Sequence, residues 1–573
     1  MTERGEASSL VELRVLDGPN LYFPRAAIKL TLDLTRLVDL PEEAAAAFAA
    51  AIGLTRVRPG PAGSGLRQRF ALRAVGRLVR QIAARAGTTR LAIRVRPTAD
   101  VHRLVVAYPW RHLERAEALG RAVAGVLDAL PAPDTDRIVD AAAEDVRAAE
   151  TGRKPPTIRP RVKVVAVTGT NGKTTTSRLI AHMGRCAGLH VGWSSTDGIY
   201  MDGELVEEGD YSGPSGAGRV LAHPGVELAV TETARGGILL RGIGVAHNDV
   251  SVVTNVSADH LGLQGIDTLD QLAEVKAVVT RITRSTGWCV VNGDDPRTFA
   301  MRAGSPGRPW VFSRDPDSPA IREALNEGGR VTTVLDGWVS VLEPRGDAEP
   351  LVPIVDVPMT LAGLSRFNVE NALAATSAGL GVGLERHAVA DGLRSFRPGP
   401  ELNPGRMNVY SLGGVTVVLD LAHNEVGLEA LLEIMNGLRP SGGRLLLAIG
   451  TAGDRTDDLL RGMGEIGAKG ADHVVIAHKA KYLRGRTIEN MERLFREGME
   501  AVGVTGAPAH PTELDSLRAL CGEARLGDVV AVMCQAEREQ LDAWLREQGA
   551  TVDEPDTLKR KALAAHPAHP AAP

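Results

Sequence analysis

KVVAVTGTNGKTTTSRLIAH, residues 163–182, decides how this chain is read. Val164, Val165, Ala166 and Val167 form a short apolar run rich in β-branched residues, which predicts a buried strand. Thr168-Gly169-Thr170-Asn171-Gly172-Lys173-Thr174 predicts a tight glycine turn, and a helical pattern follows. Two glycines let the backbone approach a ligand closely, and N–H groups at a helix N-terminus carry partial positive charge, so such a turn favours phosphate. Lys173 is placed for the terminal phosphates and Thr174 for Mg²⁺. The general P-loop pattern asks for glycine where Val167 stands, which leaves the narrower signature G-T-N-G-K-T-T.

Working outward, a length of 573 residues predicts roughly three to five domains. A formal net charge of −4 provides no basic field, which argues against nucleic acid as a partner. Cys186, Cys289, Cys521 and Cys534 are scattered and form no CxxC pair, so neither a disulfide framework nor a zinc site is expected. The first residues lack a signal-peptide core, and no apolar run reaches membrane-spanning length. A soluble, cytoplasmic protein with no membrane contact is the expectation.

The fold class expected is α/β. Residues 1–150 read as a small α+β N-terminal domain, and the Pro-rich stretch 131–160 reads as a connection, with 151–160 the linker proper. Residues 161–398 alternate strands and helices as a mostly parallel sheet covered on both faces does, with 306–358 expected as an antiparallel extension. Residues 399–557 predict a second, Rossmann-like α/β domain without a glycine phosphate loop. Residues 558–573 read as a disordered tail.

In open α/β sheets ligands bind beyond the carboxyl ends of strands. The strand through Leu228 ends in Glu232-Thr233-Ala234-Arg235-Gly236-Gly237, and Glu232 facing a phosphate loop is a candidate Mg²⁺ ligand. The next strand ends in Asn255-Val256-Ser257-Ala258-Asp259-His260, where His260 is a candidate metal ligand oriented by Asp259. Thr174, Glu232 and His260 make up the expected metal set. Lys276 follows in a helical pattern, Leu272-Ala273-Glu274-Val275-Lys276.

These motifs in this order resemble the central domain of the Mur ligase superfamily, the ATP-dependent amide ligases. The resemblance implies ATP and Mg²⁺ as cofactors. It implies nucleotide contacts from Gly169, Thr170, Asn171, Gly172, Lys173, Thr174 and Thr175, and a carbamylated Lys276 beside the γ-phosphate. Arg366-Phe367-Asn368-Val369-Glu370-Asn371 is similar to the family segment whose first asparagine, here Asn368, contacts adenine. Pro404-Gly405-Arg406-Met407 is similar to the segment that opens the C-terminal domain, which implies a nucleotide contact from Arg406. Asp420-Leu421-Ala422-His423-Asn424 is similar to D-Y-A-H-N, which implies that Asp420 and His423 lie near the incoming amine, and Gly453-Asp454-Arg455 is similar to the G-D-R turn. Leu421 and Glu425 depart from the usual tyrosine and proline.

Thr196-Asp197-Gly198-Ile199-Tyr200, the run 207–214 (EEGDYSGP) and the N-terminal Gly18-Pro19-Asn20-Leu21-Tyr22 narrow the resemblance to the ligase portion of the cyanophycin synthetases. Those enzymes carry an ATP-grasp domain between the two regions, where this chain has only a short linker. A separate ATP-grasp enzyme is therefore an expected partner, alongside amino-acid or peptide substrates and a homo-oligomeric state. The stretch 478–486 (HKAKYLRGR) is basic, which suits either an anionic substrate or a solvated loop. The readings in play are a cyanophycin synthetase-like acid–amino-acid ligase, a poly-γ-glutamate or peptidoglycan-precursor ligase, and a non-catalytic ATP-binding partner of another ligase.

Overall fold

The computed structural model describes residues 8–258 and 261–565, arranged as three sheets of four, eleven and seven strands. The first is antiparallel, in the order Leu10–Leu16, Ala27–Asp33, Arg103–Pro109, Arg94–Pro97. Alternation along Ala27–Asp33 sends Ile28, Leu30 and Leu32 to one face, and register places Ile28 opposite Tyr108 and Leu30 opposite Val106. Helices Gly65–Arg85 and Leu113–Asp128 cover that face. The helix Thr135–Ala148, inside the stretch read as a connection, belongs to this core: Val139, Ala143 and Val146 are buried in it.

The central sheet is built on the strand Lys163–Thr168, which lies between Asn248–Val253 and Leu228–Glu232, parallel to both. Parallel pairing continues outward through Thr283–Asn292, Arg308–Ser313 and Arg330–Leu335 on one side, and through Val191–Ser194 on the other. This corrects the expected antiparallel extension over 306–358. Its first two strands prolong the parallel sheet, and only the ribbon Trp338–Leu342/Glu349–Pro353 turns antiparallel. A second antiparallel ribbon, Gly198–Met201 with Glu204–Glu208, closes the opposite edge. Register aligns Val167 with Glu232 and Thr168 with Val253, so the carboxyl ends converge where the glycine turn begins.

The third sheet runs Ala509–His510, His473–Ala477, Leu445–Ile449, Val529–Met533, Val415–Asp420, Asn408–Leu412, Thr551–Val552. Its central pairs are parallel, and Asn408–Leu412 runs antiparallel between Val415–Asp420 and the edge strand Thr551–Val552. The expected disordered tail starts too early. Residues 558–565 lie in the helix Pro555–Ala565, whose Leu558 and Ala562 are buried in the core of this unit, an amphipathic spacing that the alanine-rich composition conceals. Residues 566–573 lie outside the described residues.

Candidate active site

The turn after Lys163–Thr168 passes into the helix Lys173–Cys186 through two glycines with positive φ, Gly169 at 150° and Gly172 at 83°. Neither tolerates a side chain. A Cβ on Gly169 would lie 1.8 Å from Thr254 Oγ1, and one on Gly172 would lie 2.1 Å from Asn371 Oδ1. The turn is fixed from the neighbouring strand end. Asn255 Oδ1 accepts from the Asn171 N–H at 2.9 Å, and the Thr254 hydroxyl donates to the Asn171 carbonyl at 2.6 Å. Thr170 N–H donates to the Asn255 carbonyl at 2.9 Å. The loop is thus anchored through Thr170 and Asn171 ahead of a helix N-terminus, the kind of position that receives phosphate.

Lys173 Nζ donates to the Thr170 carbonyl at 2.8 Å, so the ammonium sits over the loop it would serve. Lys276, at the end of the helix Leu269–Lys276, is buried and donates to the Gly169 carbonyl at 2.6 Å. Two lysines therefore hold consecutive carbonyls, Gly169 and Thr170, where the loop leaves its strand. The Thr174 hydroxyl donates to Glu232 Oε2 at 2.9 Å. Glu232 is buried, and burial pushes its carboxyl above the usual range against the opposing pull of Lys173 and the Thr174 hydrogen bond. Its other oxygen, Oε1, is buried without a hydrogen-bond partner. A buried carboxylate oxygen left unsatisfied beside a threonine hydroxyl suits a hard cation with oxygen ligands. Thr174 and Glu232 of the expected metal set thus come together. His260 and Asp259 lie outside the described residues, and among the described residues no group of three or more His, Cys, Asp or Glu gathers at metal-binding distance.

Asn368 and Asn371 lie one turn apart on the helix Arg366–Val382. Asn371 Nδ2 donates to Asn368 Oδ1 at 3.1 Å, and the Thr176 hydroxyl donates to Asn371 Oδ1 at 3.2 Å. The second asparagine, Asn371, is what packs on Gly172. Thr175 lies on the first turn of the loop's helix, and Asn403 Nδ2 reaches its hydroxyl at 3.4 Å from the segment that leads to the C-terminal unit.

From that unit, Asn424 Nδ2 donates to Asn171 Oδ1 at 3.2 Å, so the C-terminal sheet closes directly on the phosphate loop. Asp420 ends the strand Val415–Asp420, and its two oxygens accept from the Met407 and Ala422 N–H groups, each at 2.8 Å. Its contacts are those of a residue fixing the turn that carries Arg406, with Met407 at φ 56°. Burial raises the Asp420 carboxyl above its usual range, opposed by the Ala422 hydrogen bond and by Arg406. His423 stands at the same strand end, and its carbonyl accepts from the Thr451 hydroxyl at 3.0 Å. Arg406 is partly buried, with Nε lacking a hydrogen-bond partner.

Sequence reasoning missed the group that ties the units together. Asp197 accepts from Arg178 of the loop's helix at 2.9 Å and from Arg538 of the C-terminal unit at 2.7 Å. Burial works to raise its pKa, and Arg538, Arg178 and Arg406 outweigh burial and bring it down to about 2. The T-D-G-I-Y motif contains Asp197, but its partners stand 19 and 341 residues away, beyond any local pattern.

The basic stretch is engaged internally. Lys479 is buried and donates to Glu513 Oε1 at 2.6 Å, while Glu513 also accepts from the N–H groups of Gln535, Ala536 and Glu537. Arg486 donates to the carbonyls of Gly453 and Arg455, and so braces the G-D-R turn. Lys481 and Arg484 are exposed.

The Mur ligase middle domain family matches residues 167–379, and the Mur ligase, glutamate ligase domain family matches residues 405–536. A cyanophycin synthetase of Crocosphaera subtropica is 41% identical over 322 residues, which is 56% of this chain and 36% of that enzyme. The chain thus matches little more than a third of the length of such relatives. A UDP-N-acetylmuramyl-tripeptide synthetase of Deinococcus radiodurans is 29% identical over 66% of this chain and 74% of its own length. Among solved structures, E. coli FolC in complex with ADP aligns at a TM-score of 0.50 and 20% identity, covering 68% of this chain and 90% of FolC, a likeness of fold. Among the described residues, no helix is long and apolar enough to cross a membrane.

Proposed function

The chain belongs to the Mur ligase family, and from that premise we propose that it is an ATP-dependent acid–amino-acid ligase. It activates a carboxylate as an acyl phosphate and joins it to the amine of an amino acid or peptide. The observation that carries this reading is the pairing of Thr174 with Glu232 at the mouth of the glycine loop, with Glu232 Oε1 buried and unsatisfied. Such an oxygen costs free energy unless a cation completes it. The 41% identity to a cyanophycin synthetase supports an amino acid or peptide as substrate.

In the first step a substrate carboxylate oxygen attacks the γ-phosphorus of ATP. An O–P bond forms, the bond to the β-phosphate oxygen breaks, and ADP leaves. The Gly169–Thr174 backbone and Lys173 hold the phosphates, and Lys276 holds the loop from its Gly169 carbonyl. Thr174 and Glu232 would hold Mg²⁺, which when bound neutralises phosphate charge. In the second step the amine attacks the acyl carbon, inorganic phosphate leaves with the C–O bond pair, and the nitrogen loses a proton. Asn424, Asp197 and Arg538 keep the C-terminal unit closed over the loop, which protects the acyl phosphate from water.

Isotope transfer tests the reading. A pool of amino acids and short Asp- or Glu-containing peptides carrying ¹⁸O in their carboxylates, turned over with MgATP, should release phosphate containing one ¹⁸O. Phosphate free of label, despite turnover, would point to ATP hydrolysis without acyl transfer.

A further inference from the structure

The Gly18–Tyr22 turn takes no part in the reaction above, yet it is bound tightly to the central unit. Asp17 N–H donates to the Arg241 carbonyl and Ile243 N–H donates to the Pro19 carbonyl, each at 2.7 Å. Gly18 admits no side chain, because a Cβ there would lie 1.9 Å from the Ile243 carbonyl oxygen. Asn20 sets the turn: its Oδ1 accepts from the Tyr22 and Phe23 N–H groups, and its Nδ2 donates to the Gly18 and Arg25 carbonyls. The turn thereby presses Leu21 onto the apolar cluster that contains Leu272 and Val275.

Those two residues lie on the helix Leu269–Lys276, whose last residue reaches the Gly169 carbonyl of the phosphate loop. The same helix is gripped a second time. Arg96, from the N-terminal strand Arg94–Pro97, donates two parallel hydrogen bonds to Glu274, at 2.9 and 2.7 Å, and its guanidinium lies 5.4 Å from the Tyr22 ring. Glu274 stands two residues before Lys276. A bidentate arginine–carboxylate pair fixes orientation as well as distance.

We propose that the N-terminal unit is a positioning element for the ligase site. Leu21 and Arg96 clamp the helix Leu269–Lys276, and through it set Lys276 against the phosphate loop. Arg96, Glu274 and Leu21 are positioning residues, since none of them touches the loop. The inference rests on the ligase reading for its kinetic readout and on the fold alone for its exchange readout.

The test uses the full chain with Arg96→Ala, Glu274→Gln, the double variant Leu21→Ala/Arg96→Ala, and the swap Arg96→Glu/Glu274→Arg. Amide hydrogen exchange in residues 269–276 should quicken in the first three variants, while the loop's own helix, 173–186, stays protected. kcat for amide formation should fall about fivefold in the single variants and about tenfold or more in the double variant, with KM for ATP unchanged. The swap should recover most of the loss, which a general loss of folded protein would not. Unchanged exchange in 269–276 overturns the clamp whatever the chemistry. Unchanged kcat in an active enzyme overturns its role in positioning. A wild-type chain that makes no amide with any pair counts against the ligase reading alone, and the exchange result then decides the clamp.

Discussion

Replacing Asp197 with asparagine removes the one carboxylate that Arg178 and Arg538 share across the two units while keeping its shape. Its side chain is 17% exposed, against 3% for Arg178 and 22% for Arg538, so the three charges interact through little water. The carboxyl is held at about 2, against an ordinary 3.8. At 1.36 kcal/mol per tenfold change in proton affinity, that difference is about 2 kcal/mol in favour of the folded, ionised state. The depressed value fixes the sign. The contribution is complete above about pH 4 and is lost as pH falls through the folded value near 2. Urea unfolding of wild type and Asp197→Asn, compared at the same pH, cancels the terms common to both chains. The variant should be less stable by about 2 kcal/mol at neutral pH, and the gap should shrink to about half that near pH 3. A gap below about 0.5 kcal/mol at neutral pH, or one that does not change with pH, would refute the claim that the charge carries the contact.

Gly172→Ala combines a φ of 83° with a Cβ 2.1 Å from Asn371 Oδ1, so ATP affinity measured by calorimetry should fall at least about tenfold, and Asn371→Ala should recover part of it. Glu232→Gln should raise the thermal midpoint of the metal-free protein, because burial holds the carboxyl above its usual range and its ionised form costs stability. That gain should be present at neutral pH and vanish as pH falls below the ordinary glutamate value, where both states are protonated, while Mg²⁺-dependent turnover drops by about a hundredfold or more. Lys479→Met leaves the buried Glu513 carboxylate to three backbone N–H groups, and denaturant unfolding should show a loss of about 3 kcal/mol.

What sequence could show of this molecule was whatever chemistry lies in one continuous stretch. The strand, glycine turn and helix over 163–186 follow from local pattern, and so does Glu232 at the end of its strand, because parallel pairing puts carboxyl ends side by side. The ribbon Gly198–Met201/Glu204–Glu208 went unread since its strands are only four and five residues long. Lys479 looked like part of a solvated basic loop because its partner Glu513 is 34 residues on, and no local rule pairs them. Asp197 and Asn371 were visible as motif letters, but their work is to meet Arg538, a contact that exists only once the units are docked, and Gly172, a contact that exists only once the central unit has folded. The helix over 558–565 was hidden by a composition rich in alanine, lysine and arginine, although Leu558 and Ala562 stand at the i, i+4 spacing of a buried face.

The measurement that bears most directly on the ligase reading is release of ADP and phosphate from MgATP, with amino acids and short acidic peptides supplied in pairs and Lys173→Ala as the blank. Release that requires both a carboxylate and an amine, with a product whose mass is the sum of the pair less one water, is the predicted result. Tight ATP binding with no release above the Lys173→Ala blank in any pairing would contradict it, and would leave the chain a nucleotide-binding partner of another ligase.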